Sequence, residues 1–400
     1  MPFHDASTVS DVSKFRLQNR NDKLQLNIHI YAMITKALLK TIFMIAAKII
    51  SLAIFLMTIL SAYGGRVNPE FTGIPATLAL ALPYLGGATI IITILWIIGR
   101  KIIFPVLGGL TLLACMPTLS QAFPFGSPKK AAPGETTFTL MTYNIIHTED
   151  QQYPDISYNR SLQYVINSGA DIVCLQELLS YAPDEIRHYS EPLIDSLRQA
   201  YPYRAGTYYD SDLKVFSKYP VRLVKKESAD SEFKLRYDFF EVDIKGHRLN
   251  IANCHLISYS LTTDDREILT DIRNVQSAKH SLKEFKTTVR QKLSSAFRLR
   301  AHNAASLREE IDGIKGDLIV CGDFNDVPGS WAYRKILGDD LHDAYAETNF
   351  GPTFTYNSHL FYFHIDQILY KGNLRALSVK RGDIKASDHY PLFATFAFTK

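Results

Sequence analysis

The sequence predicts a large α/β domain carried behind a short helical membrane region, and three observations point there. Apolar residues crowd into positions 41–123, whereas charge is spread over the rest of the chain. Beyond residue 137, short apolar runs with the look of strands alternate with longer amphipathic segments, the texture of strands and helices around one core. Polar residues able to do chemistry stand at the ends of those runs or inside them. With 400 residues the chain exceeds one ordinary domain. The net charge of +4 neither demands nor excludes an anionic partner, so local charge has to be read instead. Cys115, Cys174, Cys254 and Cys321 all sit in apolar runs, and no CxxC pair or Cys/His spacing marks a zinc site. They read as buried small side chains.

Residues 1–40 read as a polar, basic tail that does not fold alone, with Met33 a candidate alternative start before a basic-apolar run. Residues 41–123 read as a transmembrane region of about three helices. The first runs from Thr41 to Tyr63, interrupted only by Lys48; the second, Pro75 to Gly99, carries no charge; the third, Ile102 to Phe123, contains Pro105 and Pro117. Each has about the 20 mainly apolar residues that a spanning helix needs. The block starts too far in, and is too long, for a cleaved signal peptide, so it is an anchor. Lys36 and Lys40 precede the first span and Arg100-Lys101 fill the second turn, while the first loop carries Arg66 and Glu70. Positive-inside counting therefore puts the N-terminus in the cytoplasm and everything after Phe123 outside it, with Lys129-Lys130 counting the other way.

Residues 124–136, rich in Pro, Gly, Lys and Ala, read as an exposed linker. The remainder, 137–400, is one α/β domain large enough to bury its own core. Strands are expected at 138–145, 171–177, 213–219, 239–245, 248–256, 317–324, 364–370 and 391–398, and helices near 158–168, 184–200 and 264–310.

The chemistry stands on those strands. Asn144 ends the first; Glu177 ends the second after the apolar run IVCL; His255 follows Asn253 in NCHL; Asp323 and Asn325 close a strand as GDFN; Asp366 lies in HIDQIL; Asp388-His389 stand in SDHYP. Burying acids, amides and imidazoles is costly unless they are paired or hold a metal. One such residue is ordinarily structural, but a set recurring on successive strands is not accidental.

The motifs TYN, LQE, NxH, GDFND, ID and SDH, in that order from about Thr137 to the C-terminus, resemble the endonuclease/exonuclease/phosphatase superfamily, which includes deoxyribonucleases, abasic-site endonucleases, sphingomyelinases and inositol-polyphosphate phosphatases. The resemblance implies a four-layer α/β sandwich, two packed β-sheets flanked by helices, with the site at one edge. Chemistry and the family pattern together assign roles. Glu177 and Asn144 would hold Mg2+ (or Mn2+), with Asp388 an outer or occasional ligand. Asp323 would activate or orient the attacking water, and Asn325 would position it and the phosphate. His389, oriented by Asp366, would stabilise the phosphoryl oxygens or protonate the leaving group. His255 would donate to a phosphate oxygen, with Asn253 nearby on the substrate. The chain departs from the pattern twice. Ile146 stands where some nucleases of this kind carry an acid, which weakens an abasic-endonuclease reading, and His364 stands where membrane-bound relatives often carry Arg.

An insertion separates NCHL from GDFN. Between Arg273 and Arg308 it holds many Lys and Arg but a single acid, Glu284; Leu282, Phe285, Val289, Leu293 and Phe297 recur at helical spacing, and Lys279, Lys283, Lys286 and Arg290 fall on another face. It reads either as a packed helix with a solvated basic side or as a lid for an anionic surface.

Together these features predict a membrane-anchored, metal-dependent phosphodiesterase that uses direct attack of water; no GxSxG or Cys-His nucleophile signature competes. A nuclease-like substrate comes first, a phospholipid or sphingomyelin-type diester or a phosphoinositide second. The non-enzymatic alternative is an inactive membrane-tethered binding module. No protein partner is predicted.

Overall fold

The computed structural model describes residues 7–145, 157–178, 195–206, 212–226, 235–258, 290–358 and 361–399. A helical region comes first. Helix α1 runs from Ser7 to Gly64, so it begins well before Thr41, where the tail was expected to end. No Gly or Pro occurs between Phe3 and Tyr63, and nothing there breaks a helix. Helices α2 (Ile74–Leu80) and α3 (Leu82–Ile98) are bent by 59° at their junction, within the stretch Pro75 to Gly99 expected as the second span. Pro83 is the cause: it sits in the first turn of α3, the helical position a missing N–H tolerates, so a new helix starts there. Helix α4 (Ile103–Ala122) follows. Helices α1 and α4 are long and apolar enough to cross a membrane, and the bent α2–α3 pair makes a third if it counts as one span.

The burial pattern of this region is partly inverted, around a small apolar cluster of Ala62, Leu82, Cys115 and Leu119. Ser51, Thr58, Ser61, Thr89, Thr111 and Thr118 are buried, while Ile91, Leu95, Ile97 and Ile98 are exposed. The buried groups join the helices. Thr58 and Thr89 hydroxyls meet at 2.8 Å, Ser61 donates to Leu78 O at 2.6 Å, Trp96 Nε1 donates to Ser51 Oγ at 2.9 Å, and Thr118 donates to Ala62 O at 3.0 Å.

Two six-stranded sheets form the rest. In the first, β1 (Thr137–Asn144) pairs in parallel with β2 (Ile172–Gln176) and antiparallel with β14 (Leu392–Phe398); β13 (Leu374–Arg381) flanks β14, and β4 (Lys214–Ser217) and β3 (Tyr203–Ala205) complete the other side. In the second, β7 (His247–His255) and β8 (Leu318–Asp323) run parallel; β5 (Val221–Lys226) and β6 (Tyr237–Ile244) lie on one side, β12 (Asp366–Lys371) and β9 (His342–Asp343) on the other. A separate hairpin joins β10 (Tyr356–Ser358) and β11 (Phe361–Phe363).

Alternation along the strands explains the layers. Phe138 and Leu140 of β1, with Ile172 and Cys174 of β2, pack between the sheets against Ile251, Ile319 and Ile368. Met141 and Tyr143 turn outward onto Leu162 and Val165 of α5 (Ser157–Asn167) and onto Leu197. On the far side, Ala304, Leu307 and Ile311 of α6 (Arg290–Gly313), with Tyr333 and Ile336 of α7 (Trp331–Leu337), cover Cys254, Leu318 and Val320. A short helix, α8 (Ala344–Thr348), precedes the hairpin. The result is the four-layer sandwich, helices outside two packed sheets. All four cysteines are buried and none forms a disulfide.

Sequence patterning missed the edge strands β3, β5, β9 and β13 and the hairpin. Of the helix expected at 184–200, residues 195–200 are described and are helical. Most of the basic arm, including Lys279, Leu282, Lys283, Phe285, Lys286 and Val289, lies outside the described residues, as does Ile146; Phe297, itself part of α6, is buried. The linker is not wholly free. Phe125 bridges Phe350, Gly351 N donates to Pro124 O, and Lys129 N donates to Leu377 O at 2.7 Å.

Candidate active site

Strand register gathers the polar residues at one edge. His255 at the end of β7 pairs with Asp323 at the end of β8, and Asp323 pairs with Asp366 at the start of antiparallel β12. Asn144 ends β1 beside Gln176, so Glu177 leaves β2 at the same edge. Gly322, just before Asp323, has φ +127° and abuts the Cys254 backbone; a side chain there would collide with the neighbouring strand. Glu177 and Asn325 are themselves held at φ +60° and +50°, a strained conformation that functional sites retain.

Asp323 is the hub. Its Oδ2 accepts from Asn144 Nδ2 at 3.1 Å and from Asn325 Nδ2 at 3.0 Å, and its Oδ1 accepts from the Asn325 backbone N–H at 2.7 Å. Two imidazoles face it, His389 Nε2 at 3.6 Å and His255 Nε2 at 3.9 Å. Each is oriented through Nδ1 by a carboxylate: His389 by Asp366 at 2.9 Å and His255 by Asp212 at 2.8 Å. Asp388 Oδ1 lies 3.8 Å from His389 Nε2. Ser387 ties this strand end to the rest, donating to Asn144 O at 2.9 Å while accepting from His389 N at 3.0 Å. Thr355 Oγ1 accepts from both Ile365 N and Asp366 N, each at 3.0 Å.

The electrostatics follow from burial and neighbours. Burial lowers the His389 imidazole, but Asp366 and Asp323 outweigh it and hold the group well above the ordinary histidine range. His255 is likewise lowered by burial and raised on balance by Asp212, Glu177 and Asp323. Burial raises Asp323 above the usual carboxylate range, against the pull of His389 and His255. Asp212 is raised by burial, yet the His255 hydrogen bond and the His255 and Arg236 charges bring it below its ordinary value.

The donor set fits a divalent cation. Asn144 Nδ2 stands 3.1 Å from both Glu177 Oε1 and Asp323 Oδ2, so two carboxylate oxygens converge on one amide; turning that amide over would present a third oxygen. Such an oxygen-only set suits a hard ion that keeps several waters. Atoms of Asp323, Asp366 and His389 also lie within 4.8 Å of one another, but the His389–Asp366 hydrogen bond accounts for that cluster.

The structure thus brings together Asn144, Glu177, His255, Asp323, Asn325, Asp366, Asp388 and His389. Asn253 does not join them. Its two amide hydrogens go to Leu175 O and Lys214 O at 3.1 and 3.2 Å, its oxygen accepts from Gln176 Nε2 at 2.7 Å, and the side chain is fully buried. It braces the two sheets and has no group left for a substrate. Asp212 is the residue that sequence reasoning missed. It stands at the head of antiparallel β4, which starts at the edge where β2 ends; the same logic delivers Asp366, so strand starts carried the signal as well as strand ends. Asp326, the last acid of GDFND, is buried beside the fully buried Arg300 of α6, whose Nη1 lies 3.3 Å from its Oδ2. Arg300 Nε and Nη2 donate to Ile257 O at 2.9 and 2.8 Å, so one side chain links the loops after β7 and β8.

The model of the Endonuclease/Exonuclease/phosphatase family matches residues 141–389, and that of a Domain of unknown function (DUF8431) matches residues 40–122. No curated protein matches the chain. Among solved structures, a humanized D. rerio TDP2 is 13% identical over 65% of this chain and 98% of its own, with a TM-score of 0.44. An endonuclease/exonuclease/phosphatase family protein from Bacteroides thetaiotaomicron is 15% identical over 67% and 97%, with a TM-score of 0.42. A beta toxin mutant from Staphylococcus aureus, solved with bound magnesium ions, is 16% identical over 66% and 100%, with a TM-score of 0.40.

Proposed function

We propose, from the premise that this chain belongs to the Endonuclease/Exonuclease/phosphatase family and is a metal-dependent hydrolase of phosphoric esters, that it is a membrane-anchored phosphodiesterase using direct attack of water. The observation that carries this reading is the convergence of two carboxylate-oriented imidazoles and two amides on buried Asp323. Glu177 and Asn144 would hold Mg2+ or Mn2+, with Asp388 beside them; the cation supplies charge for the phosphoryl oxygens. Asp323 takes the proton of the attacking water, and Asn325 keeps that carboxylate aimed. His389, which Asp366 and Asp323 hold well above the ordinary histidine range, gives its Nε2 proton to the departing oxygen. His255, with Nδ1 committed to Asp212, turns its Nε2–H to a phosphoryl oxygen.

Anchoring rests on the partly inverted burial of the helical region. Helices that bury Ser and Thr and expose Ile and Leu suit a lipid environment, where small polar residues join helices and aliphatic ones face outward. Gly65 just past α1, Tyr84 near the start of α3 and Thr118 near the end of α4 contact the sandwich, while the Arg100-Lys101 turn joins the opposite ends of α3 and α4. By the positive-inside rule the sandwich then lies outside the cytoplasm.

The test is turnover of bis-p-nitrophenyl phosphate by the full chain in detergent, with Mg2+, Mn2+ or chelator. Metal-dependent turnover is expected, and Glu177→Gln should raise the metal concentration for half-maximal rate by about 10- to 100-fold. Turnover that survives chelation, or a Glu177→Gln variant with unchanged metal dependence, would rule the reading out.

A further inference from the structure

The helical region does not merely tether the sandwich; it meets the edge where the site lies. On the Asn325 side, Gly65, one residue past α1, packs on the Gly329 carbonyl so closely that a Cβ would overlap it, and Thr118 of α4 packs on the same glycine. Gly329 is four residues beyond Asn325. On the His389 side, Tyr84 near the start of α3 donates to Tyr362 O at 2.9 Å and sets its ring edge-on to Phe363 at 6.3 Å. Phe363 pairs across the hairpin with Tyr356, whose ring lies 5.2 Å from the His389 ring. A third contact, His302 Nε2 to Glu70 Oε1 at 2.8 Å, joins α6 to the loop after α1.

Around this junction the molecule exposes aromatic rings from both parts. Phe71 is 84% exposed, Phe125 67% and Phe350 79%, with Tyr84 and Tyr362 exposed beside them; Phe125 and Phe350 rings touch at 5.8 Å. Phe350 and Tyr362 belong to the sandwich, and each meets an aromatic residue of the helical region or its linker, Phe350 the Phe125 ring and Tyr362 the Tyr84 hydroxyl. They lie level with the ends of the apolar helices, where Tyr and Trp rings settle in the headgroup layer.

We propose that this aromatic collar seats the catalytic edge in the headgroup layer of the bilayer its own helices cross, and that the substrate is a phosphodiester of a lipid in that bilayer. The inference rests on the phosphodiesterase reading above and names its substrate class. The oxygen of water bonds to phosphorus as one ester P–O bond breaks; the water's proton goes to Asp323 and the departing oxygen takes one from His389. One alcohol and one phosphomonoester result, and whichever carries the acyl chains stays in the membrane. A nucleic-acid duplex is bound chiefly through Lys and Arg on its phosphates, and the five residues of the collar carry no charge.

The test reconstitutes the full chain in vesicles of phosphatidylethanolamine, phosphatidylglycerol and phosphatidylcholine with Mg2+, mixed with protein-free vesicles of the same lipids carrying an isotope label. Phosphorus NMR follows the diesters, mass spectrometry the label, and bis-p-nitrophenyl phosphate and a plasmid are assayed alongside. Unlabelled lipid should be hydrolysed and labelled lipid spared. Phe350→Ser combined with Phe125→Ser should lower the ratio of lipid to soluble-ester turnover by at least about tenfold, the effect commanded by burial of a phenylalanine ring. Soluble-ester turnover with intact lipid, preferential cleavage of the plasmid, or a ratio unmoved by the two substitutions would each overturn the collar. Failure on the soluble ester as well would overturn the phosphodiesterase reading and the collar with it.

Discussion

On one flank of the site His389 rests its Nδ1 on Asp366 at 2.9 Å; on the other His255 rests its Nδ1 on Asp212 at 2.8 Å, and both turn Nε2 to the same Asp323 oxygen. The geometry is nearly a mirror, but the surroundings are not. The Asp366 side chain is 1% exposed, with Thr355 fixing the backbone at its root. The Asp212 side chain is 21% exposed and shares its charge with Arg236 at 3.7 Å. A third imidazole, His364, is as buried as the other two, and burial alone moves it the opposite way. A carboxylate at hydrogen-bond distance therefore decides whether a buried histidine here is held above or below its ordinary range, and water decides how much that carboxylate matters.

The hub common to both flanks should show the largest effect. Asp323→Asn keeps the shape and removes the proton acceptor, so kcat on bis-p-nitrophenyl phosphate should fall by about 10⁴-fold. A rate within tenfold of the parent would mean that the flanks do not work through this carboxylate. The flanks themselves should then separate. Asp366→Asn strips the counter-charge from an imidazole that water cannot reach, and a loss of about 10³-fold is expected. Asp212→Asn removes a carboxylate that water already screens and that Arg236 shares, leaves the buried His255 beside Glu177 and Asp323, and should cost about tenfold. Equal losses would show that burial is not what distinguishes them.

A fourth variant tests where the His255 flank ends. Asn253 lies one pleat further in, and Asn253→Ala leaves Gln176, Leu175 and Lys214 without their partner between the sheets. Thermal unfolding should report a loss of about 3 kcal/mol, with KM for the ester unchanged. A raised KM in a fully stable variant would return Asn253 to the substrate.

Much of this was legible in the sequence because strand ends are where a sheet stops burying its residues. Asn144, Glu177, His255 and Asp323 announce themselves as polar groups closing apolar runs. Asn253 stood out by the same rule and was misplaced, since alternation fixes the face of a strand but not how far the opposite sheet covers it. Asp212 escaped because a lone acid ahead of Leu213 looks like loop; only the antiparallel pairing of β4 with β2 brings it to the edge. The edge strand β5, VRLVKK, is half exposed and lacks the apolar run that marks a central strand. The bend between α2 and α3 hangs on one proline inside an uncharged stretch, where hydropathy sees a single span. Contacts between the helical region and the catalytic edge have no local signature at all.

The smallest effect separates His364 from its two neighbours. Its ring packs edge-on to Tyr345 at 5.0 Å, its Nε2 meets no hydrogen-bond partner among the described residues, and burial, only partly opposed by Asp366, lowers its pKa to about 4. The folded state therefore binds this proton less readily than the unfolded chain, whose histidine titrates near the ordinary value of about 6.5. Because the folded pKa is the lower one, the neutral ring's contribution is fully present above about pH 6.5 and is lost as pH falls toward about 4. Between about pH 7 and pH 5 the chain should lose on the order of 2 kcal/mol of stability through this residue alone. Denaturation of the full chain in detergent at both pH values, against His364→Gln, reads it directly. The variant should be less stable at the higher pH and should flatten the fall, because a glutamine takes up no proton. An identical fall in both proteins would show that His364 gains a proton partner in the fold, and that burial does not govern this flank.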